Sequence, residues 1–162
     1  MNKLLKPIAG CLALSALLML EAAPTHAQTA RKGIVSELKG PVDVKIGSAA
    51  WKPAKVGMML REGDEIRTLA KGKAEVLLDE GGSTGKLEIK ETSHLRFSAM
   101  TWDDVSGDKT TLIDVAVGKV KVQAKKLKGN SKFEMNTPTA VLGVRGTSFE
   151  VKVYEEKKKA SA

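Results

Sequence analysis

Residues 136–151 read N-T-P-T-A-V-L-G-V-R-G-T-S-F-E-V, and this stretch decides the fold class. Pro138 fixes its own φ and drives Thr137 out of the helical region, so a strand over Lys132–Asn136 ends here. Gly143 and Gly146 bracket Val144-Arg145, the spacing of a tight loop with positive backbone angles. From Thr147 the chain alternates, with Phe149, Val151 and Val153 on one side and Ser148, Glu150 and Lys152 on the other. That is the closing turn of an all-β domain rather than catalytic machinery.

Working outward, one device recurs: glycine, then apolar residues at every second position. It reads Gly40-x-Val42-x-Val44-x-Ile46, Gly72-x-Ala74-x-Val76-x-Leu78, Gly85-x-Leu87-x-Ile89 and Gly118-x-Val120-x-Val122-x-Ala124. The intervening positions are mostly Lys, Glu, Gln or Asp, the pattern of strands with one buried and one wet face. Each glycine is expected to supply the turn that feeds the next strand. The spacing is too irregular for a repeat of fixed length. Leu112–Val117 is strand-sized, and no long amphipathic helix is present. The expectation is one all-β domain of short twisted strands with glycine turns, as a solenoid-like stack, a roll or a sandwich.

The front of the chain has the features of an export signal. Lys3 and Lys6 precede the apolar run Ile8–Leu20, and Thr25-His26-Ala27 forms a small-x-small cleavage site. The run is shorter than the ~20 residues of a membrane span. The Ile8-Ala9-Gly10-Cys11 match to a lipoprotein box is set aside, because the apolar run follows Cys11 instead of preceding it. The organisation expected is a signal peptide over 1–27 cleaved after Ala27, a lead-in over 28–31, the domain over 32–154 and a charged flexible tail over 155–162. The mature protein is then periplasmic and not transmembrane. It has no cysteine, since Cys11 leaves with the signal, so its stability rests on the apolar core. Loss of Lys3, Lys6 and Glu21 lowers the formal charge from +8 to +7, with 25 basic residues against 18 acidic.

Two motifs in order carry a family likeness. The segment Thr137-Pro138-x-Ala140-x-x-Gly143-Val144-Arg145-Gly146-Thr147-x-Phe149-x-Val151 resembles the signature end of FecR domains, and Gly63-Asp64-Glu65-Ile66-Arg67-Thr68 resembles the Gly-Asp-x-Ile-x-Thr element of the same domain. The likeness runs from about Gly40 to Val153. Gly63, Asp64, Thr68, Thr137, Pro138, Gly143, Gly146, Thr147 and Phe149 would be its structural signature positions. FecR-like regulators usually restrain an ECF-type sigma factor through a cytoplasmic segment, cross the inner membrane once and receive a transporter's signal in the periplasm. Here the 27 residues before the domain are expected to be too few for a sigma-binding segment, and no receiving region is expected after Val153. The resemblance therefore implies a periplasmic, non-catalytic interaction module, with a solenoid-like stack as its architecture.

The candidate partner-binding residues are Arg145 and the lysines Lys119, Lys121, Lys125, Lys126 and Lys128. Arg145 could meet a carboxylate or phosphate, although holding its own loop closed is the favoured role. Six lysines, Lys132 included, fall within residues 119–132 without an acid among them. Lys119 and Lys121 would share the solvent face of one strand, where they could meet lipid phosphate or anionic glycan. Lysine guarding an edge strand is the plainer reading. Asp64 is expected to order its turn through backbone amides. His94 is the only histidine after the signal, which excludes a His/Cys zinc site. Asp103-Asp104-x-Ser106-Gly107-Asp108 reads better as a turn than as a calcium loop. No nucleophile elbow or paired catalytic carboxylates stand in frame. Sparse aromatics disfavour a nucleic-acid partner.

The expected function is thus a non-enzymatic protein-interaction module in signalling or envelope organisation, without a cofactor. The alternative is a structural module that holds envelope polysaccharide or lipid phosphate on the lysine-rich strand.

Overall fold

The structure is a computed structural model that describes residues 28–154 other than positions 145 and 147. The elements are β1 Gln28–Ala30, β2 Gly33–Lys39, β3 Val42–Lys45, β4 Lys52–Pro53, β5 Met59–Leu60, β6 Glu65–Thr68 and β7 Lys73–Leu78. A 3-10 turn at Glu80–Gly82 leads to β8 Gly85–Ile89, β9 Ser93–Asp103, β10 Lys109–Ala124, β11 Lys132–Asn136, β12 Val141–Val144 and β13 Ser148–Val153. They form one curled sheet in the order β4-β3-β6-β9-β10-β8-β7-β2-β5, a half-barrel. The single all-β domain expected from alternation is what forms.

The curl has a definite construction. β3, β6, β9 and the first half of β10 form one wing, while β2, β7, β8 and the second half of β10 form the other in the same order. The chain turns between wings at Gly40-Pro41, at 69–72 and at 90–92, and β10 bends within itself at Gly118. These corners stack. Leu69 N donates to Pro41 O at 3.1 Å, Thr92 N to Leu69 O at 3.3 Å and Lys90 N to Lys119 O at 2.9 Å. The Thr68 hydroxyl donates to Lys90 O and accepts from Ser93 N, while Ser93 Oγ accepts from Lys119 N at 3.0 Å.

Gly118 differs from the turn expected there. It lies inside a sixteen-residue strand, at φ +109°, and a Cβ on it would sit 2.4 Å from Ser93 Cα. The strand can fold over its neighbour only where no side chain intervenes. Burial follows the bend: Ile113 and Val115 point inward before it, Val120 and Val122 after it, so the phase of alternation changes at the glycine. Strands β9 and β10 are correspondingly longer than the short strands anticipated. Gly143 also departs from expectation, since it is an extended residue of β12, and only Gly146 of the pair has positive φ, at +66°.

Both wings bury their alternate residues in one core. Val35, Val76, Leu78, Leu87 and Val122 come from one side, and Val44, Ile66, Leu95, Phe97, Ile113 and Met135 from the other. Each such side chain contributes ~1.5–3 kcal/mol by leaving water, the term that holds the wings together without disulfides.

Because β10 is folded, its two ends approach each other at the side opposite the corners. The segment 125–131 crosses this open end and delivers β11 parallel to the first half of β10, with Thr110 opposite Lys132 and Asp114 opposite Asn136. β12 then returns antiparallel along β11, and β13 pairs with the second half of β10. Residues 28–31, expected as a lead-in, belong to the fold: β1 pairs with β9, and Arg31 is buried. The proposed signal over 1–27 and tail over 155–162 lie outside the described residues.

Candidate functional site

Several loops meet at the open end. β1 lies antiparallel on the end of β9, with Thr29 opposite Trp102, and Arg31 N continues the ladder by donating to Met100 O at 2.8 Å. That register turns the Arg31 side chain into the gap between the wings, where it is 4% exposed. All five guanidinium N–H groups find acceptors. Nε and Nη2 donate to the two oxygens of Asp79, each at 2.9 Å, and Nη2 also donates to Thr84 Oγ1 at 3.0 Å. Nη1 donates to Thr110 O at 3.0 Å and to Thr111 Oγ1 at 2.9 Å. Arg31 therefore ties the end of β7 and the start of β8 to the first residues of β10.

Asp79 ends β7 at φ +64° and also receives Lys109 Nζ at 2.9 Å and the Thr84 hydroxyl. Burial pushes its carboxyl up, but the hydrogen bonds from Arg31, Thr84 and Lys109 outweigh that and hold it below the usual carboxylate range. A cleft of about 610 Å³ opens beside this cluster, lined by residues that include Thr29, Arg61, Glu80, Ser83, Trp102 and Lys109. Across Ser83 and Lys109 lies a smaller cavity of about 250 Å³, to which Lys125, Lys126 and Lys128 contribute.

Trp102 reaches the cleft through a bulge. Leu95 and Phe97 face the core, but the β9–β10 register slips at Ser98, after which Met100 is the buried residue. Trp102 therefore continues the inner face past the end of the core, where the wings part.

The candidate lysines divide into two groups. Lys119 and Lys121 are on the second half of β10, with Lys119 opposite Lys152 and Lys121 flanked by Glu88 and Glu150. Lys125, Lys126 and Lys128 follow the strand in the open-end segment, and Lys132 begins β11. Arg145 and Thr147 lie outside the described residues, while Gly146 packs where a Cβ would meet Lys126 Cα at 2.9 Å. Thr137 closes the turn before β12, its N–H and hydroxyl both donating to Ala140 O, and Pro138 follows it on the surface. Phe149 packs against the core from β13.

Asp64 is buried. Its oxygens accept the N–H groups of Gly47 and Arg61, each at 2.8 Å, which pins the loop after β3 to the turn before β6; Gly63 N donates to Phe97 O at 2.8 Å. Asp103 Oδ1 accepts the N–H groups of Val105 and Ser106, a turn, and Asp108 Oδ1 accepts Asn130 N. Among the described residues, no group of three or more His, Cys, Asp or Glu side chains is placed to hold a metal ion.

On the outer face of the first wing, Arg67 stacks 4.3 Å from the Trp51 ring, and His94 meets Trp51 edge-on and Glu65 at 2.7 Å. Burial raises Glu65, and hydrogen bonds from His94 and Lys45 more than offset it, so its carboxyl is lowered. The sequence reading missed both this cluster and the open-end one. The available signal was Asp79, a carboxylate at the end of an alternating strand and just before Gly81-Gly82; Arg31 stands nine residues before the first alternating run at Gly40 and carried none.

The sequence pattern of the FecR protein matches residues 64–162, more than half of the chain and inclusive of both motifs' main residues. The chain belongs to the FecR protein family. FecR domains are envelope-associated, non-enzymatic signalling and regulatory domains. No curated protein and no solved structure matches the chain. In this FecR domain the Asp64–Thr68 element builds a loop clamp at Asp64 and a corner bond at Thr68. The closing element builds β12, β13 and the Gly146 contact between them. Among the described residues no helix is long and apolar enough to cross a membrane.

Proposed function

We propose that this chain is an exported, non-catalytic FecR-domain protein that binds another protein in envelope signalling or organisation. The observation that carries the reading is the outer strand β12. Among the described residues it pairs only with β11, which leaves its other backbone edge unpaired. Val141 is 69% exposed and Leu142 36% exposed on it. An unpaired edge with apolar side chains is a template onto which an extended partner segment can add. Export to the periplasm is supported by the basic start, the thirteen-residue apolar run Ile8–Leu20 and the Ala27 cleavage site. The lysine strand supports a glycan or lipid-phosphate role less well, since Lys121 stands between Glu88 and Glu150.

A photo-crosslinking residue placed at Leu142 in intact cells is expected to capture one protein partner, and the same group at Lys73, on the other wing, to capture none. Capture at both positions alike, or a Leu142 adduct undiminished by Val141→Asp, would defeat the reading. Mass spectrometry of the same periplasmic material should show a chain that begins at Gln28.

A further inference from the structure

The open-end cleft carries chemistry that an interaction through β12 leaves unused. Trp102 stands opposite Thr29 on one side and Lys109 on the other. Directly paired residues project from the same face of a sheet, so the indole is flanked by a hydroxyl and an ammonium. Trp102 is 43% exposed. The lining cations Arg31, Lys32, Arg61 and Lys109 outnumber the carboxylates Asp79 and Glu80 by four to two. Lys32 is matched by Glu80 at 3.5 Å, and Arg31 and Lys109 share Asp79. Arg61 makes no ion pair among the described residues, although its backbone N–H is held by Asp64.

We propose that this cleft binds a carboxylated saccharide. The indole face stacks on the C–H face of a pyranose ring, and Arg61 takes the sugar carboxylate while Lys109 adds positive charge beside it. A flat, amphipathic ring next to a few polar groups suits a ligand that has one apolar face and a polar rim. A guanidinium that makes no ion pair among the described residues matches a carboxylate in charge and in two-pronged geometry. The cleft's 610 Å³ falls within the ~300–1,000 Å³ of ligand sites. Arg31, with every donor engaged inside the protein, holds the cleft wall and raises its potential without touching the sugar. A single-stranded nucleic acid would need successive aromatic platforms, and among the described residues Trp102 is the one aromatic that lines the cleft.

The test uses purified protein, so its outcome is independent of any partner at β12. Trp51→Phe leaves Trp102 as the sole tryptophan, because the chain has two. Titration of that variant with tri-galacturonate is expected to give a saturable change in emission at sub-millimolar concentration. Maltotriose should bind at least about tenfold more weakly, and inorganic phosphate at matched ionic strength should give no saturable change. Arg61→Ser should weaken tri-galacturonate binding by about tenfold or more with the melting temperature retained. Trp102→Ala, followed by calorimetry, should abolish the binding heat. No saturable response to tri-galacturonate up to about 10 mM overturns the proposal, as does equal binding of maltotriose or phosphate, or unaltered binding by Arg61→Ser.

Discussion

The Arg31 guanidinium and the Asp79 carboxylate meet two bonds to two, Nε to Oδ1 and Nη2 to Oδ2, each at 2.9 Å. The pair joins β1 to the end of β7 across forty-eight residues of sequence and closes the open end of the half-barrel. Removing the charge at Asp79 strands a buried guanidinium. Asp79→Asn keeps the size and the tolerance of positive φ, and is expected to destabilise the domain by about 3 kcal/mol in a urea melt.

The same carboxylate sets an acid limit. Its folded value is depressed below the unfolded one, so its contribution is complete above the unfolded carboxylate range, near pH ~4, and is lost as pH falls through the folded value. Thermal midpoints should therefore drop as the pH falls below about 4, and the drop should be smaller in Asp79→Asn. Identical acid profiles in the two proteins would contradict this assignment.

Gly118 is predicted to be the least replaceable residue of β10. Alanine there would combine a positive φ with a Cβ 2.4 Å from Ser93 Cα, so a loss of about 2 kcal/mol or more is expected. Gly107→Ala is the control, since its Cβ would meet nothing within 4 Å, and only the smaller backbone cost of about 1 kcal/mol should appear. Equal melting temperatures for the two variants would remove the case for a bend at Gly118.

Gly146→Val should cost more than about 1 kcal/mol, since valine is disfavoured at φ +66° and its Cβ would press on Lys126 Cα. An unchanged thermal melt would show that the closing loop does not hold the 125–131 segment.

Asp64→Ala removes the acceptor of two backbone N–H groups, those of Gly47 and Arg61. Bonds to a charged group contribute ~1.5–3 kcal/mol each, and solvent can reach part of the loop, so a loss of about 2 kcal/mol is expected in a denaturant melt. Amide exchange at Gly47 should accelerate in the same variant.

Period-two alternation was enough to read the fold class, because strands with one wet face must alternate whatever they pair with. The Thr137-Pro138 break located the end of β11, and alternation gave the in–out pattern of β13. The phase change between Val115 and Val120 marks the bend at Gly118, although a glycine between two apolar runs reads equally as a turn. The family motifs were legible as motifs. The bond from Arg61 N to Asp64 was within reach too, since Asp64 was expected to order its own turn through backbone amides. The tie to Gly47, the corner bond at Thr68 and the contact to Lys126 were not, because those partners are remote in sequence.

The open-end cluster shows where local pattern stops. Arg31, the neighbours Asp79 and Thr84, and the hairpin pair Trp102 and Lys109 come from three separate parts of the chain and share no spacing that alternation could reveal. The slip at Ser98 turns Trp102 inward, against the phase set by Leu95 and Phe97. The parallel placement of β11 was likewise beyond local reading. The connection between the paired segments, from Asp114 to Lys132, runs through the second half of β10 and then 125–131. A strand of the other wing thus serves as the crossover, which the bend at Gly118 makes possible. Alternation records which side of a strand meets water, a property of neighbouring residues. Which strands lie side by side, and which charges therefore meet, depends on bends and slips whose energy is settled by contacts across the whole chain.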